Sequence, residues 1–159
     1  GGDVVGLSQP RQHRLPLTAS DHVLLADSTG LPAAVSILTG MGLPGRVRLL
    51  ARTAPDEVPE LDGVEVTRVE GPLDRAFAAL DLDGVDSVWG AAESGEMRPV
   101  RRLCRKELGL PGEATQVCGY WRRGVSNTRL DLDRLRLYRE ILARGGGPED
   151  LEEQMVEGA

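Results

Sequence analysis

The residues best suited to chemistry in this 159-residue sequence form one short run, Gly119-Tyr120-Trp121-Arg122-Arg123-Gly124. Aromatic residues make up only 3% of the chain, yet two of them are adjacent here and two arginines follow. Flat rings stack on planar ligands and guanidinium groups hold anionic oxygens, so the run is typical of the edge of a binding site. The alternative is a strand end whose rings pack under a helix while the arginines are solvated.

Strands and helices that would position this run alternate along the preceding sequence. Apolar runs and period-two patterns predict strands at residues 22–26, 46–52, 64–69, 87–91 and 116–120. Helices are predicted at residues 31–38, 74–80 and 99–108. The alternation predicts an α/β fold with an open, mostly parallel sheet of five strands flanked by helices, followed by a C-terminal helical tail.

In such a sheet, ligands bind beyond the carboxyl ends of the strands. This rule gathers four strand ends onto one rim, with Asp27, Ser28, Thr29, Arg52, Thr53, Ala91, Ala92, Glu93, Tyr120, Trp121, Arg122 and Arg123. Neither a G-x-G-x-x-G fingerprint nor a P-loop is present. A bound phosphate is therefore expected at the helix N-termini after Thr29 or Glu93, together with arginines.

Composition and motif content argue against several other classes of protein. The net charge of −6 disfavours a nucleic-acid partner. Cys104 and Cys118 form no C-x-x-C pair and His13 and His22 are far apart, so no metal site is predicted, and no Ser-His-Asp triad can be assembled. Since no run is long enough to cross a bilayer and no leader pattern is visible, we expect a cytoplasmic protein without a membrane partner.

The C-terminal tail supports a second interpretation. A helix is predicted from about Asp131 to Ala143, with most of its apolar residues on one face: Leu130, Leu132, Leu135, Tyr138, Ile141 and Leu142. Three glycines then precede a short acidic helix at residues 149–156. A single apolar stripe favours a helix that covers the sheet beside Trp89; the alternative is a helix that binds a partner or forms a homodimer.

Three motifs in order resemble the C-terminal half of the siderophore-interacting proteins: residues 27–33 (DSTGLPA), residues 88–93 (VWGAAE) and residues 119–124 (GYWRRG). These are flavin-dependent ferric-siderophore reductases of the ferredoxin reductase superfamily, with an N-terminal FAD-binding barrel and a C-terminal NAD(P)H-binding domain. The resemblance implies that residues 1–20 are the last barrel strand and a connector, residues 21–125 the NAD(P)H-binding domain, and residues 126–159 the tail.

The resemblance also implies roles for single residues. A cofactor site for NADPH or NADH would include Asp27, Ser28, Thr29, Leu31, Pro32, Arg52, Ala91, Ala92, Glu93, Tyr120 and Trp121, the last two beside a flavin. Arg122 and Arg123 would steer the anionic cofactor or a ferric siderophore. No catalytic residue is implied.

Three positions depart from the family pattern: Ser28 replaces the usual Glu, Ala92 the usual Gly, and Arg52 a commonly acidic residue. The methyl group of Ala92 is expected to narrow the approach of a cofactor. Arg52 could pair with a ribose phosphate or with a loop acid such as Asp56.

The FAD-binding barrel is not among these residues, so FAD is expected only where a flavin domain or chain is supplied. A truncated reductase, a short nucleotide-binding paralogue and a subunit completed by another chain all remain open. We expect an NAD(P)H-binding domain that contributes to flavin-dependent reduction of ferric siderophores. The alternative is a non-catalytic nucleotide-binding or protein-interaction module.

Overall fold

The computed structural model describes residues 15–147 and residue 150. Its strands are β1 (Asp21–Asp27), β2 (Arg46–Arg52), β3 (Val64–Arg68), β4 (Ser87–Glu93) and β5 (Thr115–Trp121). Its main helices are α1 (Leu31–Gly40), α2 (Leu73–Ala78), α3 (Ser94–Arg102) and α4 (Asn127–Ala143). The proposed barrel strand near the start of the chain lies outside the described residues, and so does the predicted helix at residues 149–156, apart from residue 150.

The strands form one sheet in the order β3-β2-β1-β4-β5, and every neighbouring pair is parallel. This confirms the predicted α/β fold. The strand β3 lies at an edge, as its alternating sequence predicts, and four of its five residues are exposed. The strand order reverses between β1 and β4, so the crevice between their carboxyl ends is the switch point at which such sheets bind ligands.

Apolar layers cover both faces of the sheet. Because successive strand residues point to opposite faces, Val23 and Leu25 of β1 join the layer under α2 and α3, whereas Leu24 and Ala26 join the layer under α1. Burial on both sides explains why β1 is a continuous apolar run without alternation. The largest buried side chain, Trp89, lies in the layer under α1 and is 1% exposed.

The helix α3 begins earlier than the sequence analysis predicts. Pro99 is typical of a first helical turn, but it lies inside α3, which starts at Ser94 and continues as a π-helical turn at Leu103–Glu107. The true N-cap is Glu93, whose carboxylate accepts a hydrogen bond from the backbone N–H of Glu96 at 3.2 Å. The earlier start brings Glu96 to the rim.

The prediction that the apolar stripe of α4 covers the sheet is wrong for three of its leucines. Leu132, Leu135 and Leu142 are 61%, 51% and 50% exposed, whereas Ile141 is 3% exposed. Leu132 and Ile141 are separated by about two and a half helical turns, so they lie on opposite sides of the helix. Within the described residues, neither apolar layer contains an α4 side chain.

None of the helices in the described part of the chain is long and apolar enough to span a membrane.

Candidate functional site

Asp27, the last residue of β1, organises the rim at the switch point. One of its carboxylate oxygens, Oδ1, accepts hydrogen bonds from the backbone N–H groups of Thr29 at 2.9 Å and Gly30 at 3.2 Å, and from the Thr29 hydroxyl at 2.5 Å. The other oxygen, Oδ2, accepts a hydrogen bond from Nε1 of Trp121 at 2.7 Å. A buried carboxylate, 5% exposed, thus shapes the loop before α1 and fixes an indole ring.

Trp121 lies across the carboxyl end of the strand β4. It pairs with Glu93 after a bulge at Ala92/Glu93, and its carbonyl oxygen accepts a hydrogen bond from the Ser94 hydroxyl at 2.9 Å. Since β4 lies between β5 and β1, an indole that starts on β5 and reaches Asp27 on β1 must cross the end of β4. The ring is therefore held in place before any ligand binds.

Tyr120, the other ring of the run, behaves differently. It is half-buried and packs against the apolar layer under α1. The structure therefore combines the two interpretations of the aromatic pair: Tyr120 packs into the domain, and Trp121 lies on the rim.

Two glutamates at the start of α3 connect the remaining elements. Glu93 accepts hydrogen bonds from the backbone N–H groups of Glu96 and Arg123, both at 3.2 Å. The two oxygens of the Glu96 carboxylate accept hydrogen bonds from Nη1 of Arg52, at 2.5 Å to Oε1 and 2.7 Å to Oε2. Its Oε2 also accepts a hydrogen bond from the backbone N–H of Leu73 at 2.8 Å. Glu96 thus joins β2, α2 and α3, and it is only 9% exposed.

Arg52 pairs with Glu96 and not with the loop acid Asp56 considered from the sequence. The reason is geometric: Leu50, two residues earlier in β2, belongs to the layer under α2 and α3, so Arg52 points to that same side of the sheet. Nη2 of Arg52 also lies 3.9 Å from Oδ2 of Asp27.

Carboxylates of the chain lie at the starts of both helices on the rim. After β1, the Asp27 carboxylate accepts hydrogen bonds from the N–H groups of Thr29 and Gly30, which precede the first residue of α1. After β4, the Glu93 carboxylate accepts a hydrogen bond from the N–H of Glu96 in the first turn of α3. A phosphate bound at the start of α3 would compete with Glu93 for that N–H, and the expected phosphate site at these helix N-termini stays a prediction.

A cleft of about 900 Å³ opens beside this network, beyond the ends of β1, β2 and β3. Its volume is in the range of small-molecule binding sites. It is lined by Ser28, Arg52, Thr53, Ala54, Pro55, Arg68, Val69 and Glu70. Glu57 lies close by, where it accepts the Ser28 hydroxyl at 2.8 Å and the N–H of Ala54 at 2.9 Å.

Other predicted site residues lie around these two features. Leu31 is buried at the start of α1, and Pro32, the second residue of that helix, is exposed. Ala91 and Ala92 are both 0% exposed, so neither the side chain nor the backbone of these residues is accessible to a ligand in this structure. The Ala92 methyl packs in the layer under α2 and α3, and so it does not narrow the rim as expected.

Arg122 and Arg123 are exposed just beyond β5, and the backbone of Arg123 is tied to Glu93. Glu96 and Arg68 are rim residues that the sequence analysis did not include. The spacing of Glu93 and Glu96 resembles a capping box and could have indicated that Glu96 lies at the rim. Arg68 is the last residue of β3, so the strand-end rule could have placed it at the rim as well.

Among the residues that the structure describes, no three His, Cys, Asp or Glu side chains form a group that could hold a metal ion. The three rim carboxylates, Asp27, Glu93 and Glu96, instead accept hydrogen bonds from the chain itself. The chemistry supported by the rim is binding through stacking, hydrogen bonds and arginine side chains.

A doubly wound parallel sheet with polar side chains converging at its switch point defines an α/β ligand-binding domain. The family of siderophore-interacting proteins matches residues 19–124, more than half of the chain, and the chain belongs to that family. The resemblance indicated by the three sequence motifs is confirmed.

Individual relatives match the chain over part of their own length. The ferric acinetobactin reductase of Acinetobacter baumannii is 32% identical over an alignment 158 positions long, and the alignment covers 91% of this chain and 55% of the reductase. The structure of a siderophore-interacting protein from Acinetobacter baumannii is 29% identical with a TM-score of 0.75, covering 86% of this chain and 60% of that one. A siderophore utilization protein from T. fusca is 35% identical with a TM-score of 0.59, covering 69% and 47%.

Proposed function

We propose that residues 21–125 are the NAD(P)H-binding domain of a ferric-siderophore reductase and that a flavin domain, on this polypeptide or on a partner, completes the site. In this proposal residues 1–20 are the connector to that domain and residues 126–159 a helical tail. The observation that carries the proposal is the fixed indole of Trp121 at the switch point, next to a cleft of nucleotide size. Family membership and similarity to a ferric-siderophore reductase support it.

The rim fits a nicotinamide dinucleotide in two parts. Trp121 supplies a flat surface, partly exposed, against which a nicotinamide or a flavin can stack. The cleft beyond β1 to β3 supplies room and arginine side chains for the adenosine half. Because Asp27 and Ser94 hold the ring and backbone of Trp121, ligand binding need not order this wall.

The reductase chemistry would come from the flavin, which takes up a hydride and releases its electrons one at a time to ferric iron. This chain's own residues orient and attract the reactants. Arg122 and Arg123 are exposed beyond β5, at the rim next to Trp121, where positive charge raises the local concentration of an anionic cofactor or ferric chelate.

The nucleotide proposal can be tested by titrating the chain with NADPH and NADH while tryptophan fluorescence is recorded. We expect saturable quenching with a dissociation constant below about 1 mM for at least one of them. Trp121→Phe should abolish the saturable signal, because the remaining Trp89 is buried away from the rim. A chain that shows no saturable response to either nucleotide, by fluorescence or calorimetry, would contradict the proposal.

The flavin requirement can be tested by adding FAD and measuring the absorbance that co-elutes with the chain. We expect residues 1–159 alone to emerge colourless and to lack ferric-siderophore reductase activity. Adding the flavin domain of a siderophore-interacting relative should then allow NAD(P)H-dependent reduction. A yellow chain that is active by itself would show that the proposed division of the site is incorrect.

The exposed face of α4 supports a second candidate, a homodimer or partner interaction. A groove of about 500 Å³ there is lined by Leu132, Leu135, Arg136, Arg139, Glu140 and Ala143. Replacing Leu132 and Leu135 together by Asp should dissociate such a complex without unfolding the domain. Leu142→Asp is a suitable control because Leu142 is 50% exposed but lies outside the groove. A wild-type chain that is monomeric at all concentrations and binds no partner flavin domain would reject this candidate.

A further inference from the structure

Charge is unevenly distributed along the rim. At the switch point three carboxylates, Asp27, Glu93 and Glu96, converge on the ends of β1 and β4. At the neighbouring cleft the charged lining residues are Arg52, Arg68 and Glu70. Two of the three charged residues that line the cleft are arginines, so an anionic group of a ligand is less disfavoured in the cleft than at the switch point.

The two arginines differ in whether a carboxylate neutralises their charge. Nη1 of Arg52 donates to both oxygens of Glu96, and its Nη2 lies near Asp27. Arg68 is exposed and, within the described part of the chain, donates one hydrogen bond, from Nη2 to the carbonyl oxygen of Thr53 at 3.2 Å. That bond holds the guanidinium at the cleft and leaves its positive charge without a carboxylate partner.

The position of these arginines in the sheet indicates which part of a dinucleotide they meet. In doubly wound folds the residue at the end of the second strand lies beside the adenosine ribose: a carboxylate there favours a free 2′-hydroxyl, and a nearby arginine accommodates a 2′-phosphate. Here β2 ends in Arg52, and the adjacent β3 ends in Arg68, paired in register with Ala51. Both residues line the cleft.

We propose that Arg68, held over the cleft by the Thr53 carbonyl and backed by Arg52, forms a subsite for a phosphorylated ribose, so that this chain binds NADPH in preference to NADH. The inference rests on the proposed nucleotide-binding function and adds its specificity. Arg68 supplies the charge, because no carboxylate in the described part of the chain pairs with it. Arg52 contributes mainly by its position, because Glu96 already neutralises it.

The test compares NADPH, NADH, 2′-AMP and 5′-AMP by isothermal titration calorimetry with the chain and two variants. We expect NADPH to bind at least about tenfold more tightly than NADH, and 2′-AMP more tightly than 5′-AMP, since the 2′-phosphate gains a charge-assisted contact with Arg68. Arg68→Gln should remove both preferences, because it weakens the binding of NADPH and 2′-AMP more than that of NADH and 5′-AMP. Arg46→Gln is the matched control, because Arg46 is an exposed arginine at the opposite end of β2, paired with Glu65.

The outcomes separate this inference from the function on which it rests. Equal affinities for NADPH and NADH, or a preference that survives Arg68→Gln, would overturn the phosphate subsite and leave nucleotide binding intact. Failure of both dinucleotides to bind would instead remove the proposed function itself. A lost preference in Arg46→Gln would point to the overall charge of the chain and would also overturn the subsite.

Discussion

The strand β1 carries an aspartate at each end, and the neighbouring strand β2 supplies an arginine to each of these aspartates. At the amino end, Nη2 of Arg48 lies 2.8 Å from Oδ1 of Asp21. At the carboxyl end, Nη2 of Arg52 lies 3.9 Å from Oδ2 of Asp27. The same two residue types on the same two strands thus make a close ion pair at the amino ends of the strands. At the carboxyl ends the pair is wider, because Arg52 also pairs with Glu96.

The amino-end pair is almost fully enclosed. The Arg48 side chain is 6% exposed, and its Nη1 donates to the Asp81 carbonyl at 2.9 Å. Next to it, the Asp86 carboxylate accepts the backbone N–H groups of Ser20 at 3.0 Å and Asp21 at 2.9 Å. Each of these bonds joins one part of the chain to another, which is the arrangement of a structural network.

The carboxyl-end network uses the same kinds of bond but borders a cleft. The side chain of Arg52 is 23% exposed, and the cleft beside it contains Arg68, which pairs with no carboxylate among the residues that the structure describes. A cluster of buried carboxylates and arginines is therefore not in itself evidence of a site. The proposed binding rim differs from the amino-end network by its cavity and by a cation that no described carboxylate neutralises.

The largest effect is expected at the enclosed edge. Asp21→Ala leaves the Arg48 guanidinium buried without its partner, and removal of one member of a buried pair should lower the free energy of unfolding by about 3 kcal/mol. Urea denaturation measures this loss. The double variant Asp21→Ala with Arg48→Met should recover part of it, because no buried charge then remains unpaired.

The same substitution also checks the division between the two edges. Nucleotide affinity of Asp21→Ala, measured on the folded fraction, should equal that of the unmodified chain. A large change in affinity would show that the two edges are coupled and that the distinction between a structural and a functional network is incorrect.

A smaller loss of stability is expected from Glu96→Gln at the carboxyl edge. The glutamine oxygen can still accept the N–H of Leu73, and Arg52 is partly solvated, so the loss should be about 1 kcal/mol. Unlike Asp21→Ala, this change should alter binding: it releases positive charge on Arg52, and NADPH affinity should rise about threefold. Calorimetry measures the second effect.

The control for this variant is Glu107→Gln, an exposed glutamate in the π-helical turn that follows α3. It makes the same change of net charge away from the rim, so its affinity should stay that of the unmodified chain. If Glu96→Gln weakens NADPH binding instead, then Glu96 orients Arg52 for the ligand and does not merely compete with it.

Local patterns predicted the sheet well and the partners of its rim residues poorly. The strand β2 was predicted with its observed bounds, because an apolar run between a glycine and a proline-rich loop leaves few alternatives. The convergence of Asp27, Glu93 and Trp121 followed from the strand-end rule without any side-chain geometry. Such features depend on nearby sequence and on the alternation of strands and helices, both of which local patterns indicate.

The partner of Arg52 could not be predicted, because it depends on where α3 begins. With a start at Pro99, Glu96 lies in a loop; with the observed start at Ser94, it faces β2. Likewise, the sequence of α4 does not determine which of its apolar residues are buried, because that depends on where the helix packs against the rest of the domain. Both errors concern packing between distant segments, which local periodicity does not specify.

The smallest expected effect is an acid sensitivity that belongs to the amino edge. Burial favours the protonated form of Asp86, but hydrogen bonds from Asp21 and Ser20, with the nearby His22, outweigh it and hold the pKa of this carboxyl below its ordinary value of 3.8. A lowered pKa in the folded state stabilises the fold above the ordinary pKa. That stabilisation is lost as the pH falls through 3.8 toward the folded-state pKa.

Asp86→Asn should therefore lower the free energy of unfolding near neutral pH and flatten its dependence on pH between about pH 5 and pH 3. Urea denaturation at a series of pH values measures both effects, and Asp83→Asn, an exposed carboxylate in the same loop, is the control. NADPH affinity near neutral pH should be the same in both variants. If Asp86→Asn keeps the acid sensitivity of the unmodified protein, that sensitivity belongs to other carboxylates, which include those of the rim. The amino ends of the strands would then not differ from the carboxyl ends in their response to acid.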